Sequence, residues 1–145
     1  MAQSVSFGRL IGSIYQQSSI YTEMKLKEYG IGPGQIPFLT SLQRKEGINQ
    51  ETLTAEFGFN KATTARAIAK LEKEGYVTRK RDEKDHRAYK IYLTNKGEEI
   101  EPKLKDVLQR LTEILTAGLT EDEKASVIIL LKKMYQNILA ENKKG

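Results

Sequence analysis

Residues 49–75 read NQETLTAEFGFNKATTARAIAKLEKEG, and this stretch decides the fold. Asn49 is a good N-cap for a short helix in which Leu53 and Phe57, four apart, form a buried stripe with Ala55 between them. Gly58-Phe59-Asn60 is a tight turn: Gly58 accepts a left-handed backbone, and Asn60 can cap the next helix. That second helix runs from Lys61 to about Glu74 and stops at Gly75. Helix, short glycine turn, helix is the spacing of a helix-turn-helix.

Downstream the period changes from helical to alternating. Tyr76-Val77-Thr78-Arg79-Lys80-Arg81 and Tyr89-Lys90-Ile91-Tyr92-Leu93-Thr94 read as two strands. The polar Asp82–Ala88 segment between them is the tip of a hairpin, a wing. Beyond it, Asn95 to Ala117 is expected to be one helix, with Ile100, Leu104, Val107, Leu108, Leu111, Ile114 and Leu115 at spacings of three and four. Thr120-Glu121-Asp122-Glu123 is a capping box that opens a last helix.

Upstream, Val5 to Glu28 reads as an amphipathic helix through Phe7, Leu10, Ile11, Ile14, Tyr15, Tyr21, Met24 and Leu26. Tyr29-Gly30-Ile31-Gly32-Pro33-Gly34 breaks it. A second helix begins near Gln35, with Phe38, Leu39 and Leu42 as its apolar face, and Gly47 ends it. The expected class is mainly α with a small β-hairpin wing. Residues 1–32 form an N-terminal dimerisation helix, 33–95 a winged helix-turn-helix domain, and 96–145 C-terminal dimerisation helices. The terminal helices carry more apolar surface than the small winged unit can cover. A second chain is the expected cover; an intramolecular hairpin against helix one is the alternative.

Charge locates the working surface. The chain of 145 residues carries a net charge of +5. Lys61 to Lys90 holds ten Lys and Arg against five Asp and Glu, so this window contains the whole excess. That is the footprint of a nucleic-acid-binding surface, although a solvated charged face has the same composition. There are no cysteines and one histidine, His86, which excludes disulfides, thiol redox switches and thiolate or His-rich metal sites. Neither a metal nor a cofactor is implied, and most nucleophile–base constellations of enzymes are absent. No apolar run approaches the roughly 20 residues of a membrane span. The start lacks the pattern of a signal peptide, so a cytoplasmic location is expected.

On a helical wheel, Ala62, Ala65, Ile68, Ala69 and Leu71 fall on one side of the Lys61–Glu74 helix, and Thr63, Arg66, Ala67, Lys70 and Lys73 on the other. Small residues let a helix enter a major groove about 12 Å wide. The candidate contacts from this helix are Lys61, Ala62, Thr63, Thr64, Arg66 and Lys70. Arg66 suits guanine O6 and N7, or phosphate; Thr63 and Thr64 suit a thymine methyl or a phosphate oxygen, and equally suit a first helical turn. In the wing, Arg87 suits a narrow minor groove, with Asp85 orienting its guanidinium; as a plain surface ion pair the two would matter little. Lys80, Arg81 and Lys84 suit phosphates.

Residues Asn49 to Thr94 resemble the DNA-binding domain of the MarR (multiple antibiotic resistance regulator) family. Asp85-His86-Arg87-Ala88-Tyr89-Lys90-Ile91-Tyr92-Leu93-Thr94 fits that family's D-x-R-x(5)-L-T pattern. Lys61-Ala62-Thr63-Thr64-Ala65-Arg66, followed by Leu71-Glu72-Lys73-Glu74-Gly75-Tyr76-Val77, is similar to its recognition helix and exit. The order of flanking helices matches too, so the resemblance covers nearly the whole chain. It implies a dimer with interlocked terminal helices, double-stranded DNA as partner, and repression or activation at a near-palindromic operator. It also implies relief by a small, often aromatic or phenolic effector between the dimer helices and the winged domain. Arg9, Tyr15, Tyr29 and Phe38 are the candidates for that site, although core packing suits the aromatics as well. Thr63, Arg66, Asp85 and Arg87 match the family's DNA-reading positions. Peroxide sensing by cysteine, found in some members, is excluded here. A winged-helix protein-interaction module and a non-specific DNA-architectural protein are the rival functions.

Overall fold

The computed structural model describes residues 6–45 and 47–145. The helices and strands run in the order α1 (Phe7–Leu26), a 3-10 turn (Lys27–Tyr29), α2 (Ile36–Arg44), β1 (Ile48–Asn49), α3 (Gln50–Phe57), α4 (Lys61–Lys73), β2 (Val77–Arg81), β3 (Tyr89–Leu93), α5 (Asn95–Glu99), α6 (Glu101–Leu115) and α7 (Glu121–Lys144). Two compact units divide the chain, Met1–Leu111 and Thr112–Gly145. The expected start of helix one at Val5 lies outside the described residues.

Helix starts are set by side-chain caps. Asn49 Oδ1 accepts the Thr52 amide at 2.7 Å, and Asn60 Oδ1 accepts the Thr63 amide at 2.8 Å. Both satisfy first-turn amides that have no intrahelical partner. Gly58, at φ +66°, reverses the chain between α3 and α4, a backbone that a Cβ would strain. For α7 the capping box is reciprocal. The Glu123 amide donates to Thr120 Oγ1 at 3.1 Å, and the Thr120 amide to Glu123 Oε1 at 2.8 Å.

The wing is larger than a hairpin. Among the described residues, three antiparallel strands lie in the order β1-β3-β2, with Ile48 opposite Ile91 and Val77 opposite Leu93. Strand β1 has no counterpart in the sequence reading. Gly47 does not end α2, which stops at Arg44. Its amide donates to the Ile91 carbonyl at 2.8 Å, so it leads into β1 instead. The expected single helix from Asn95 is two, parted at Ile100. Pro102 has no amide proton to continue the ladder there.

Leu26, Phe38, Leu39, Leu42, Leu53, Ile68, Leu71, Val77, Ile91 and Leu104 make one core, drawn from α1 to α4, β2, β3 and α6. Each such aliphatic side chain contributes about 1.5–3 kcal/mol by leaving water. Phe38 is fully buried, edge-on to Phe57 with ring centroids 5.3 Å apart. It is a core residue with no face open to a ligand, which removes it from the effector-site candidates. In α4 the buried stripe is Thr64, Ala67, Ile68 and Leu71, the i, i+3, i+4, i+7 pattern. The helical wheel puts Ala67 outside and Ala62 and Ala69 inside; the reverse holds.

The exit of α4 is tightly packed. Gly97, at the start of α5, lies against the Tyr76 carbonyl: a Cβ there would come within 2.2 Å of that oxygen. A backbone atom cannot yield as a flexible side chain can. Gly97→Ala should therefore lower stability by about 1–3 kcal/mol, the usual cost of overpacking, read as a shifted urea midpoint. An unchanged midpoint would show that the contact is not tight.

Candidate nucleic-acid interface

The polar face of α4 begins at its cap. Lys61, Ala62, Arg66 and Lys70 are exposed, and Thr63 is half-buried. Arg66 Nη2 lies 3.4 Å from Thr63 Oγ1, so the two side chains lean together one turn apart. Thr64 does not join them. It is fully buried, and its hydroxyl pairs with Thr54 Oγ1 at 2.8 Å, tying α4 to α3. Helix α3 crosses the first turn of α4 on that side, so the expected DNA contact of Thr64 is corrected to a structural one.

The wing tip is built from two aspartates. Asp85 Oδ1 accepts the Arg87 amide at 3.1 Å and the Arg87 Nε at 3.4 Å, while the Arg87 side chain is 94% exposed. One carboxylate thus holds both the backbone and the guanidinium of a residue whose far end is free to meet a partner. Asp82 Oδ1 accepts the Lys84 amide at 2.9 Å, and this bond, with neighbouring lysines, holds its carboxyl below the usual range.

Cross-strand pairing sorts the hairpin's cations between two faces. Val77, Arg79 and Arg81 share one face with Leu93, Ile91 and Tyr89. Toward the tip this core face becomes cationic. Arg79 and Arg81 lie 5.2 and 5.8 Å from the Tyr89 ring centroid, and the Arg81 hydrogen bond pulls the Tyr89 pKa down. Arg79 also reaches back to Glu72 of α4 at 3.2 Å. On the opposite face Lys80 lies 5.0 Å from the Tyr92 ring centroid. Lys61, Arg79 and Arg87 converge on an open groove of about 240 Å³ between the wing and α3, lined also by Gln50, Glu51, Thr54, Ala88 and Tyr89. Arg79, Tyr89 and the start of α3 carry no role in the sequence reading. The i, i+2 spacing of Val77, Arg79 and Arg81 is the signal that could have found them.

The MarR family profile matches residues 29–88. The HTH-type transcriptional regulator YybA of Bacillus subtilis is 31% identical over 130 residues, covering 90% of this chain and 87% of the relative. This chain belongs to the MarR family. The crystal structure of a MarR transcriptional regulator from Methanosarcina mazei is 44% identical, with a TM-score of 0.85 over 92% of this chain and 96% of that one. A putative MarR family regulator from Listeria monocytogenes, complexed with a 26mer DNA, superposes with a TM-score of 0.88 at 27% identity, covering 98% and 97%.

In this MarR-family transcriptional regulator the D-x-R-x(5)-L-T stretch does two separate jobs. Asp85 and Arg87 shape the tip. At the other end, Thr94 accepts the Gly97 amide as the cap of α5, donates its hydroxyl to the Gly75 carbonyl, and donates its amide to the Tyr76 carbonyl at 3.0 Å. The motif therefore anchors the base of the wing to the exit of α4. The four residues considered for an effector are not alike in setting: Arg9 and Tyr15 are exposed on α1, Tyr29 is half-buried, and Phe38 is core. Among the described residues no cluster of Asp, Glu or His is arranged to hold a metal, and no helix is long and apolar enough to cross a membrane.

Thr64→Val should cost about 1 kcal/mol in a denaturant melt through the lost hydroxyl pair, with base preference on DNA unchanged; altered base preference would return Thr64 to the interface. The wing tip has an acid-side signature of its own. Because the Asp82 pKa is depressed in the folded state, the Lys84 turn is held fully above about pH 4 and is released as pH falls through the depressed value. The Lys84 amide chemical shift should move only in that acid window, and a midpoint at or above the ordinary Asp value would contradict the assigned bond.

Proposed function

We propose that this chain is a cytoplasmic, sequence-specific regulator that binds double-stranded DNA as a homodimer on a near-palindromic operator. The observation that carries the reading is the common mounting of α4 and the wing. Cations from both converge on one groove, while Arg87 is held outward by Asp85. Arg66 and Thr63 read base edges in the major groove, with Ala62 leaving the backbone room to approach. Lys61, Lys70, Lys80, Arg81 and Lys84 neutralise phosphates, and Arg87, steered by Asp85, enters the adjoining minor groove.

Dimerisation is supported by uncovered apolar surface. On α1, Phe7, Leu10, Ile11, Ile14 and Tyr15 are all exposed. Helix α7 has no buried residue at all, although Ile128, Ile129, Leu131, Tyr135 and Ile138 lie along it. Patches of this size on a soluble chain mark a protein contact, and a second copy presents the same faces in return. Recognition helices paired in this way meet successive major grooves about 34–36 Å apart. A small aromatic or phenolic effector that prefers another lobe spacing weakens binding without touching DNA. Arg9, Tyr15 and Tyr29 remain the candidates for its site.

Selection of the preferred duplex from a random pool should return a near-palindrome with half-sites about 10–10.5 bp apart. Failure to bind any duplex at low salt would favour a protein-interaction module. Binding without sequence preference would favour an architectural protein. Arg66→Ala should weaken binding to the selected duplex by about 1–3 kcal/mol with little effect on random DNA. Equal losses on both would assign Arg66 to phosphate. Arg87→Ala should cost most on sites with A·T-rich flanks, and indifference to the flanks would remove the minor-groove role.

A further inference from the structure

The 3-10 turn and α5 meet at one buried tyrosine where α4 ends. Tyr76 is 1% exposed, and its hydroxyl donates to the carbonyl of Tyr29, the last residue of the 3-10 turn beyond α1. Lys96 of α5 holds its ammonium 4.5 Å from the Tyr76 ring centroid and donates to the Glu74 carbonyl at 2.6 Å. Lys103 of α6 lies 6.0 Å from the Tyr29 ring centroid. The Glu74 side chain lies over Gly30, where a Cβ would come within 2.3 Å of Oε2. None of these residues belongs to the surface assigned to DNA.

Glycine stands on both sides of this joint. Gly30, after the 3-10 turn, has φ +70°, and Gly75, after α4, has φ +85°. Such positions are pliable in isolation, since glycine loses the most freedom on being fixed. The hydrogen bond from Tyr76 to Tyr29 spans both and closes them into one joint. Its leverage is large. Helix α4 has 13 residues and so is about 20 Å long. A tilt of roughly 10° about its end moves its first turn by about 3.4 Å, the rise of one base pair.

We propose that Tyr76 is a positioning residue: its hydrogen bond to Tyr29 fixes α4 against the turn that ends α1 and so limits which half-site spacings the dimer accepts. This rests on the dimeric, two-half-site reading above. The ring contact of Lys96 and its bond to the Glu74 carbonyl hold the same joint from the α5 side.

The test uses the full chain and duplexes carrying the selected half-sites, with their separation changed by one or two base pairs either way. Wild-type protein should bind one separation far better than its neighbours. Tyr76→Phe keeps the ring, its packing and the Lys96 contact, and should narrow that gap on the order of fivefold, what one hydrogen bond is worth. Base preference within the half-site should stay the same. Equal weakening on every separation, or an unchanged gap, would overturn the positioning role while leaving the dimeric reading intact. Wild-type protein that binds all separations alike, or binds as a monomer, overturns the dimeric reading and this inference with it. Should Tyr76→Phe fail to fold, Lys96→Met leaves an apolar stem over the ring and removes the bond to Glu74. It should narrow the gap in the same direction, and an unchanged gap in that variant would equally overturn the proposal.

Discussion

The backbone at Gly75–Tyr76 is where the rest of this structure is decided. A helix end leaves carbonyls without partners, and here they are met by side chains from beyond the wing: Lys96 on Glu74 and Thr94 on Gly75. The Thr94 amide takes the Tyr76 carbonyl, against which Gly97 is pressed. The start of β2, the end of β3, the end of α4 and the start of α5 are thereby joined. The Thr94–Gly75 bond is partly buried, and losing it would cost about 1–3 kcal/mol, whereas the Lys96–Glu74 bond is exposed and contributes less. These bonds tie the end of α4 to the base of the wing.

On this mount several cations are already held by neighbours within the chain. Arg87 is already oriented by Asp85, Arg79 by Glu72 and Tyr89, and Arg81 by Tyr89. Long basic side chains otherwise lose about 2 kcal/mol of rotamer freedom when immobilised. The exposed ion pairs themselves contribute little to stability. Their effect is directional: each commits part of a guanidinium to a partner within the chain, and the Arg87 side chain stays 94% exposed.

Much of this was legible in the sequence because it is local. Asn49, Asn60 and Thr120 cap the helices they precede, Gly58 turns the chain, and Asp85 holds Arg87 two residues on, all within reach of a short window. The features that were not legible depend on crossings between distant segments. Thr64 is buried because α3 lies over the first turn of α4, and the periodicity of α4 alone does not report which side that is. Strand β1 is two residues long and exists through its pairing with β3. Phe38 lost its suggested ligand role to contacts with Phe57 and Phe59, and Tyr76 gained its role from a carbonyl far upstream. The break at Ile100 was signalled by Pro102, and a sustained apolar spacing on both sides masked it.

As proposed, α4 and the wing dock as one unit, twice, on one face of a duplex. Footprinting of the dimer on its selected duplex, with dimethyl sulfate at guanine N7 for the major groove and hydroxyl radical at the sugars for the minor groove, tests it most directly. Two protected patches about one helical turn apart are expected, each extending without a gap from the major-groove edge into the neighbouring minor groove. A single patch, or major-groove protection with the adjoining minor groove left open to cleavage, would contradict it.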